Sequence, residues 1–143
     1  MVCTGNICRS PMAEVLLARR LRDRGVSAVV ESAGTNAPEG RPADKLAQEL
    51  MRERGLDLSA HRARQLTPSI VRSFNLVLAM EGWQQREVEA IDPSARGRVH
   101  RLGRIGKFDV PDPFGKDRAA FVQSLALIER GLDELDKIFW SSP

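Results

Sequence analysis

One short stretch near the start of this chain carries the residue types and the spacing for nucleophilic chemistry on a tetrahedral anion. It reads Cys3-Thr4-Gly5-Asn6-Ile7-Cys8-Arg9-Ser10-Pro11. A cysteine, five residues and an arginine are enough for a tight loop that wraps one oxyanion. In such a loop the cysteine sits at the bottom as nucleophile. The planar fork of Arg9 can hold two anion oxygens at once. Ser10 and Pro11 are expected as N-cap and first residue of a helix. That helix would aim its free N–H groups and positive dipole end at the same anion. Only a thiolate is a strong nucleophile, and a helix N-terminus, a neighbouring arginine and hydroxyl donors from Thr4 or Ser10 all favour the charged sulfur. Gly5 permits tight backbone angles, and Asn6 tolerates a left-handed conformation while tying the loop together. The chemistry proposed is thiolate attack on a phosphoryl group.

Such attack also needs a proton for the leaving oxygen, which a carboxylic acid on a loop can supply. The best candidate is Asp112, in Val110-Pro111-Asp112-Pro113-Phe114-Gly115. Taken alone, Asp-Pro reads as an ordinary turn. Beside the cysteine loop, the two prolines read as restraints that present the acid. Phe114 is then placed to form an apolar wall against an aromatic leaving group.

The elements that must position these groups follow from periodicity. Residues 10–24 place Ala13, Leu16, Leu17 and Leu21 at helical spacing and stop at Gly25. Residues 28–32 read as a short strand ended by Ala33-Gly34. A second helix is expected over 43–54 and a short third one from Thr67-Pro68. The apolar run 76–80 reads as a strand buried on both faces. A helix over 81–90, a strand over 99–102, a long loop over 103–116 and a closing helix over 118–139 complete the chain. Strands alternating with helices imply an α/β sandwich around a parallel sheet, with its site at the carboxyl ends of the strands. Just Met1 and Val2 precede Cys3, so the first strand is expected to be a stub unless the true start lies upstream.

Composition narrows the class. The chain has 143 residues, 42% of them hydrophobic, which suits one domain over residues 1–143 with a packed core. No apolar run reaches the ~18 residues of a membrane span, and no signal peptide is visible. Two cysteines make no disulfide scaffold, so a reducing, cytoplasmic setting is expected. The net charge of +3 comes from mixed rather than clustered charges, and aromatics are only 5%, which argues against a nucleic-acid partner. Anionic substrates fit this balance. Cys3, Cys8, His61 and His100 lack the spacing of a zinc site, and neither a metal nor another cofactor is expected. Cys8 reads equally as a small buried hydrophobe. His100 reads as a strand residue, Trp83 and Trp140 as packing or surface residues, and Met12 and Met80 as core.

These motifs resemble a known family. Residues 2–14, VCTGNICRSPMAE, are similar to the signature of low-molecular-weight protein tyrosine phosphatases of bacterial type. The similarity continues through Ser32-Ala33-Gly34-Thr35, His61-Arg62-Ala63-Arg64-Gln65-Leu66-Thr67 and the Asp112-Pro113-Phe114 turn. The resemblance implies a phosphotyrosine phosphatase I-like fold: a three-layer α/β sandwich with a four-stranded parallel sheet, helices on both faces and a first strand that is truncated here. It implies hydrolysis of protein phosphotyrosine through a phosphocysteine, with Cys3 as nucleophile, Arg9 as phosphate-binding residue and Asp112 as general acid. It further implies that Asn6, Ser10, Ser32 and His61 hold the loop in shape, and that Cys8 forms a protective disulfide with Cys3 under oxidation. The implied partners are phosphotyrosine proteins, a bacterial tyrosine kinase of polysaccharide export among them. The family usually carries an aromatic pair after its Asp-Pro and often a tryptophan near residues 36–39. Here Phe114-Gly115 stands in the first place, and the second has no tryptophan.

Three other activities are open to such a chain. Arsenate reduction on this fold resembles a relay through further cysteines, and none exists beyond Cys8. Phosphoarginine hydrolysis is the second; relatives with that specificity look to carry threonine where this chain has Ile7, and isoleucine favours a flat phosphotyrosine ring. The third is a phosphocysteine carrier, which needs no general acid.

Overall fold

The computed structural model describes residues 1–140, so the last three residues of the expected unit lie outside the described residues. Four short strands, β1 (Val2–Cys3), β2 (Ala33–Gly34), β3 (Val77–Ala79) and β4 (Val99–Arg101), form one sheet in the order β2-β1-β3-β4. All three pairings are parallel. Val2 is in register with Ala33 on one side and Ala79 on the other, so β1 is central although it has two residues.

Because strand side chains alternate, each strand feeds both faces. Val2, Ala33, Val77 and Val99 point into one cluster with Leu66, Val71, Val88 and Ala95. Cys3, Leu78 and Met80 point into a larger one with Met12, Leu16, Leu17, Leu50, Met51, Phe121, Leu125, Ile128 and Leu132. Helices α1 (Arg9–Asp23), α2 (Lys45–Glu53) and α5 (Arg118–Phe139) cover that second face, packed on one another. Helices α3 (Pro68–Arg72) and α4 (Gly82–Ile91) cover the first. The fold is thus the expected three-layer sandwich. Each fully buried Leu contributes about 2 kcal/mol of apolar transfer, so the leucines of α1 and α5 anchor the helix pair that carries the cysteine loop.

Two local expectations are corrected. Residues 28–32 are not a strand; the ladder starts at Ala33. A strand exists only where a neighbour offers backbone groups, and β1 offers them opposite Ala33 and Gly34. Ser10 does not cap α1. The helix already begins at Arg9, Cys8 is its N-cap residue, and no side chain accepts at the cap. Elsewhere the elements form where expected, with ends shifted by one or two residues. Asp44 caps α2, Thr67 caps α3 ahead of Pro68, and Asp117 caps α5, each side chain accepting from the first turn.

A cavity of about 1060 Å³ opens at the amino-terminal ends of the strands, among Leu17, Val30, Phe74, Leu76 and Phe139. The cysteine loop leaves β1 at the opposite, carboxyl end, so this cavity is separate from it. No described helix is long and apolar enough to cross a membrane.

Candidate active site

The loop leaves β1 at Cys3 and enters α1 at Arg9, which forces a sharp reversal in five residues. The reversal is made at Asn6, whose φ of 56° lies in the left-handed region. Its backbone N–H points back at the Cys3 Sγ, 3.3 Å away. The Asn6 side chain is fully buried and fully used. Its Nδ2 donates to Ser10 Oγ and to Ser32 Oγ, both at 2.9 Å, and its Oδ1 accepts from the Arg64 backbone N–H at 2.9 Å. Ser10 Oγ lies 2.9 Å from Cys3 Sγ. Since Asn6 already donates to that oxygen, the Ser10 hydroxyl proton is free to go to the sulfur. This is why Ser10 is no helix cap: its hydroxyl serves the cysteine. His61 Nε2 stands 2.7 Å from the Asn6 carbonyl, which can only accept, so the ring proton is on Nε2. Asn6, Ser10, Ser32 and His61 therefore form one network around the loop.

The remaining loop residues are held from outside. Thr4 Oγ1 accepts from Gln84 Nε2 at 2.9 Å, and Gln84 in turn accepts from the Glu81 N–H at 2.9 Å. The carbonyls of Cys3 and Thr4 accept from the N–H groups of Thr35 and Asn36, both at 3.0 Å. Gly5 and Ile7 are partly exposed, with a Cβ at Gly5 falling 3.6 Å from Ile7 Cγ1 and 4.0 Å from Pro38. Cys8 is buried in the larger core cluster, and both cysteines are free thiols. Burial, with Asp44 second, pushes the Cys8 thiol well above its ordinary pKa. Cys8 is thus a neutral thiol at physiological pH.

The close approach of the next strand depends on Gly34. A Cβ there would lie 2.3 Å from the Thr4 carbonyl oxygen and 3.1 Å from the Asn6 Cβ. Gly34→Ala must therefore push the loop backbone away from β2. We expect a stability loss of about 2 kcal/mol in denaturant unfolding together with lowered activity on an aryl phosphate. A Gly34→Ala variant with wild-type stability and rate would contradict that packing.

Arg9 is 2% exposed, yet its charge is well matched. Its NH1 pairs with Glu81 Oε1 and donates to the Val110 carbonyl at 2.8 Å. Its NH2 lies 3.8 Å from Asp112 Oδ2. The acid-bearing loop thus lies directly beside the arginine of the cysteine loop, although the two are far apart in sequence. That loop is fastened at three points. The Val110 N–H donates to the Met80 carbonyl at 2.9 Å, Ser124 Oγ of α5 donates to the Pro111 carbonyl at 2.7 Å, and Arg9 holds Val110. Asp112 itself is about half exposed and accepts from the Phe114 N–H at 3.0 Å. Phe114 is 55% exposed at the rim.

Sequence alone does not single out Glu81, Gln84, Arg64 or Ser124 as parts of the site. For the first two a signal exists: Glu81 and Gln84 stand three apart, the spacing of a reciprocal helix cap, directly after the buried strand. Nothing local marks Ser124, and Arg64 stands within the His61–Thr67 motif with no role of its own assigned to it. Among the described residues no group of three His, Cys, Asp or Glu could hold a metal ion.

Comparison with known proteins shows the family of the chain. The family model of low molecular weight phosphotyrosine protein phosphatases matches residues 1–139. A probable low molecular weight protein-tyrosine-phosphatase, EpsP of Ralstonia solanacearum, is 50% identical over 93% of this chain and 89% of its own. Among solved structures, Vibrio vulnificus Wzb in complex with benzylphosphonate superposes with a TM-score of 0.88 at 35% identity, covering 95% of this chain and 94% of its own. A mutant of YwlE from Bacillus subtilis gives a TM-score of 0.88 at 33% identity, over 95% and 93% of the two chains, and a second matching YwlE structure is named an arginine phosphatase. The chain belongs to the low molecular weight phosphotyrosine protein phosphatase family, whose members are enzymes.

Proposed function

We propose that residues 1–143 form one catalytic unit that hydrolyses protein phosphotyrosine through a phosphocysteine intermediate. The observation that carries this reading is the convergence of three groups at the carboxyl end of the sheet. Cys3 Sγ receives the Asn6 N–H and faces the Ser10 hydroxyl, and Arg9, at the other end of the same loop, has its NH2 3.8 Å from Asp112 Oδ2. With NH1 engaged by Glu81 and Val110, the NH2 side of Arg9 remains to hold phosphate oxygens. The loop N–H groups and the amino end of α1 share the charge that spreads over the phosphoryl oxygens.

In the first step Cys3 Sγ attacks phosphorus in line. The S–P bond forms as the P–O bond to tyrosine breaks, and Asp112 gives its proton to the departing oxygen. In the second, water attacks phosphorus while Asp112 takes its proton. The S–P bond breaks, phosphate leaves and the thiolate returns. Ser10 supports the sulfur at each turn, and Ser32 and His61 act on it only through Asn6. Thr4, Gly5, Ile7 and Cys8 shape the loop. Phe114 and Ile7 are the apolar surfaces for a phenyl ring, and the benzylphosphonate bound by the Vibrio relative is a group of that kind. The partners of this reading are phosphotyrosine proteins, with a bacterial tyrosine kinase as one candidate in the cytoplasm.

A second reading, phosphoarginine hydrolysis, is favoured by the match to YwlE. Rates on a phosphotyrosine and a phosphoarginine peptide of the same sequence decide between them. We expect kcat/KM for phosphotyrosine to be higher by at least about tenfold, the usual scale for one apolar pocket contact discriminating two side chains. The reverse order would overturn the tyrosine assignment.

A further inference from the structure

A second pocket of about 480 Å³ lies between α4 and the edge strand β4. Its walls carry Arg86, His100, Arg101 and Arg104, against the single acid Glu89. The nearby acids are already engaged. Asp109 Oδ1 pairs with Arg101 at 3.0 Å and accepts from the Gly82 N–H at 3.0 Å, and Glu89 Oε1 accepts from Gln85 at 3.2 Å. Arg86 and Arg104 form no ion pair among the described residues. Arg104 instead donates to His100 Nδ1 at 3.0 Å, which requires a neutral ring. Burial first, and Arg104 second, lower the His100 pKa accordingly. Arg86 folds back over the start of α4, its NH1 3.8 Å from a Cβ placed on Gly82.

The pocket is coupled in space to the chemistry. Gly82, in its wall, follows Glu81, the partner of Arg9. Arg101 pairs with Ala79, and Ala79 with Val2, so Arg101 stands two strands from the base of the cysteine loop. At the usual strand spacing that is about 10 Å, which an extended peptide covers in about three residues. With Arg101 paired to Asp109, the guanidiniums of Arg86 and Arg104 outnumber the one lining carboxylate, Glu89, and a net positive concavity favours an oxyanion.

Resting on the phosphotyrosine reading, we propose that this pocket is a specificity subsite for an oxyanion side chain on the substrate, about three residues from the target phosphotyrosine. The group is a carboxylate of Asp or Glu, or the phosphate of a second phosphorylated residue.

The test uses phosphotyrosine peptides with Glu, phosphoserine or Ala three residues to either side, on the wild-type chain and on Arg86→Ala/Arg104→Ala. A small aryl phosphate, too short to reach the pocket, is the control. Wild type is expected to favour Glu or phosphoserine over Ala by about five-fold in kcat/KM, the scale of two partly screened ion pairs. The double variant should lose this preference and keep its aryl phosphate rate within about two-fold. The better of the two acidic peptides identifies the source of the oxyanion. Arg86→Glu/Arg104→Glu should turn the preference toward Lys peptides, a result that a merely structural role would not produce. Equal rates on Glu, phosphoserine and Ala peptides overturn the subsite and leave the phosphotyrosine assignment standing. Inactivity on every phosphotyrosine peptide, with phosphoarginine hydrolysed, overturns both.

Discussion

Cys3→Ser is expected to abolish hydrolysis of an aryl phosphate, with kcat lowered by more than about 10⁴-fold. The substitution keeps the shape of the loop, since an oxygen can still accept from the Asn6 N–H and face Ser10. What disappears is the thiolate that the proposed mechanism uses as nucleophile. A serine hydroxyl needs a base to take its proton, and the groups around Cys3 are donors: the Asn6 amide and the Ser10 hydroxyl, itself fixed by Asn6 Nδ2. No histidine faces the sulfur, because His61 gives its Nε2 proton to the Asn6 carbonyl. The variant should still bind vanadate or phosphate, because Arg9 and the loop amides are untouched. A rapid quench of the wild-type reaction should show phosphate covalently attached at Cys3. Full activity in Cys3→Ser would remove the phosphocysteine mechanism, while loss of anion binding as well would indicate a collapsed loop rather than a lost nucleophile.

The parts of this site that can be read in sequence are those whose physics is local. Five residues between Cys3 and Arg9 dictate a tight reversal, and Asn6 suits its left-handed corner because a short amide tolerates that conformation. The strand Val77–Ala79 and the helix Arg118–Phe139 are legible because burial on both faces, or on one stripe, leaves a plain pattern. The failures share a cause. Residues 28–32 have the composition of a strand, but pairing depends on what a distant segment presents, and β1 presents partners only to Ala33 and Gly34. Ser10 has the composition of a cap, but a sulfur from the preceding strand and the Asn6 amide claim its hydroxyl. Ser124 is one serine on a long helix until Pro111 is brought against it. Glu81 shows how the two kinds of information meet. Its capping role is local, whereas its pairing with Arg9 joins residues 72 apart in sequence.

That same pairing sets the terms for Asp112. Arg9 is neutralised on one side by the fixed, mostly buried Glu81, so its second acid need not be a structural counter-ion. Asp112 is about half exposed, lies 3.8 Å away and sits on a loop fastened to the core through Val110 and Pro111, its own carboxylate accepting from the nearby Phe114 N–H. Asp112→Asn should therefore leave folding stability within about 1 kcal/mol, as for an exposed ion pair. Its effect should fall on catalysis: a loss of about 10²–10⁴ in kcat, the range for removing a positioned general acid. The loss should grow as the leaving phenol becomes less acidic, because a poor leaving group depends most on the donated proton. Rates across a series of substituted aryl phosphates measure this directly. A phosphocysteine carrier would respond differently, since transfer without protonation of an alkoxide needs no acid. Unchanged rates across the whole series would therefore assign the chain to carriers, and a uniform small loss would make Asp112 an electrostatic neighbour of Arg9 rather than a proton donor.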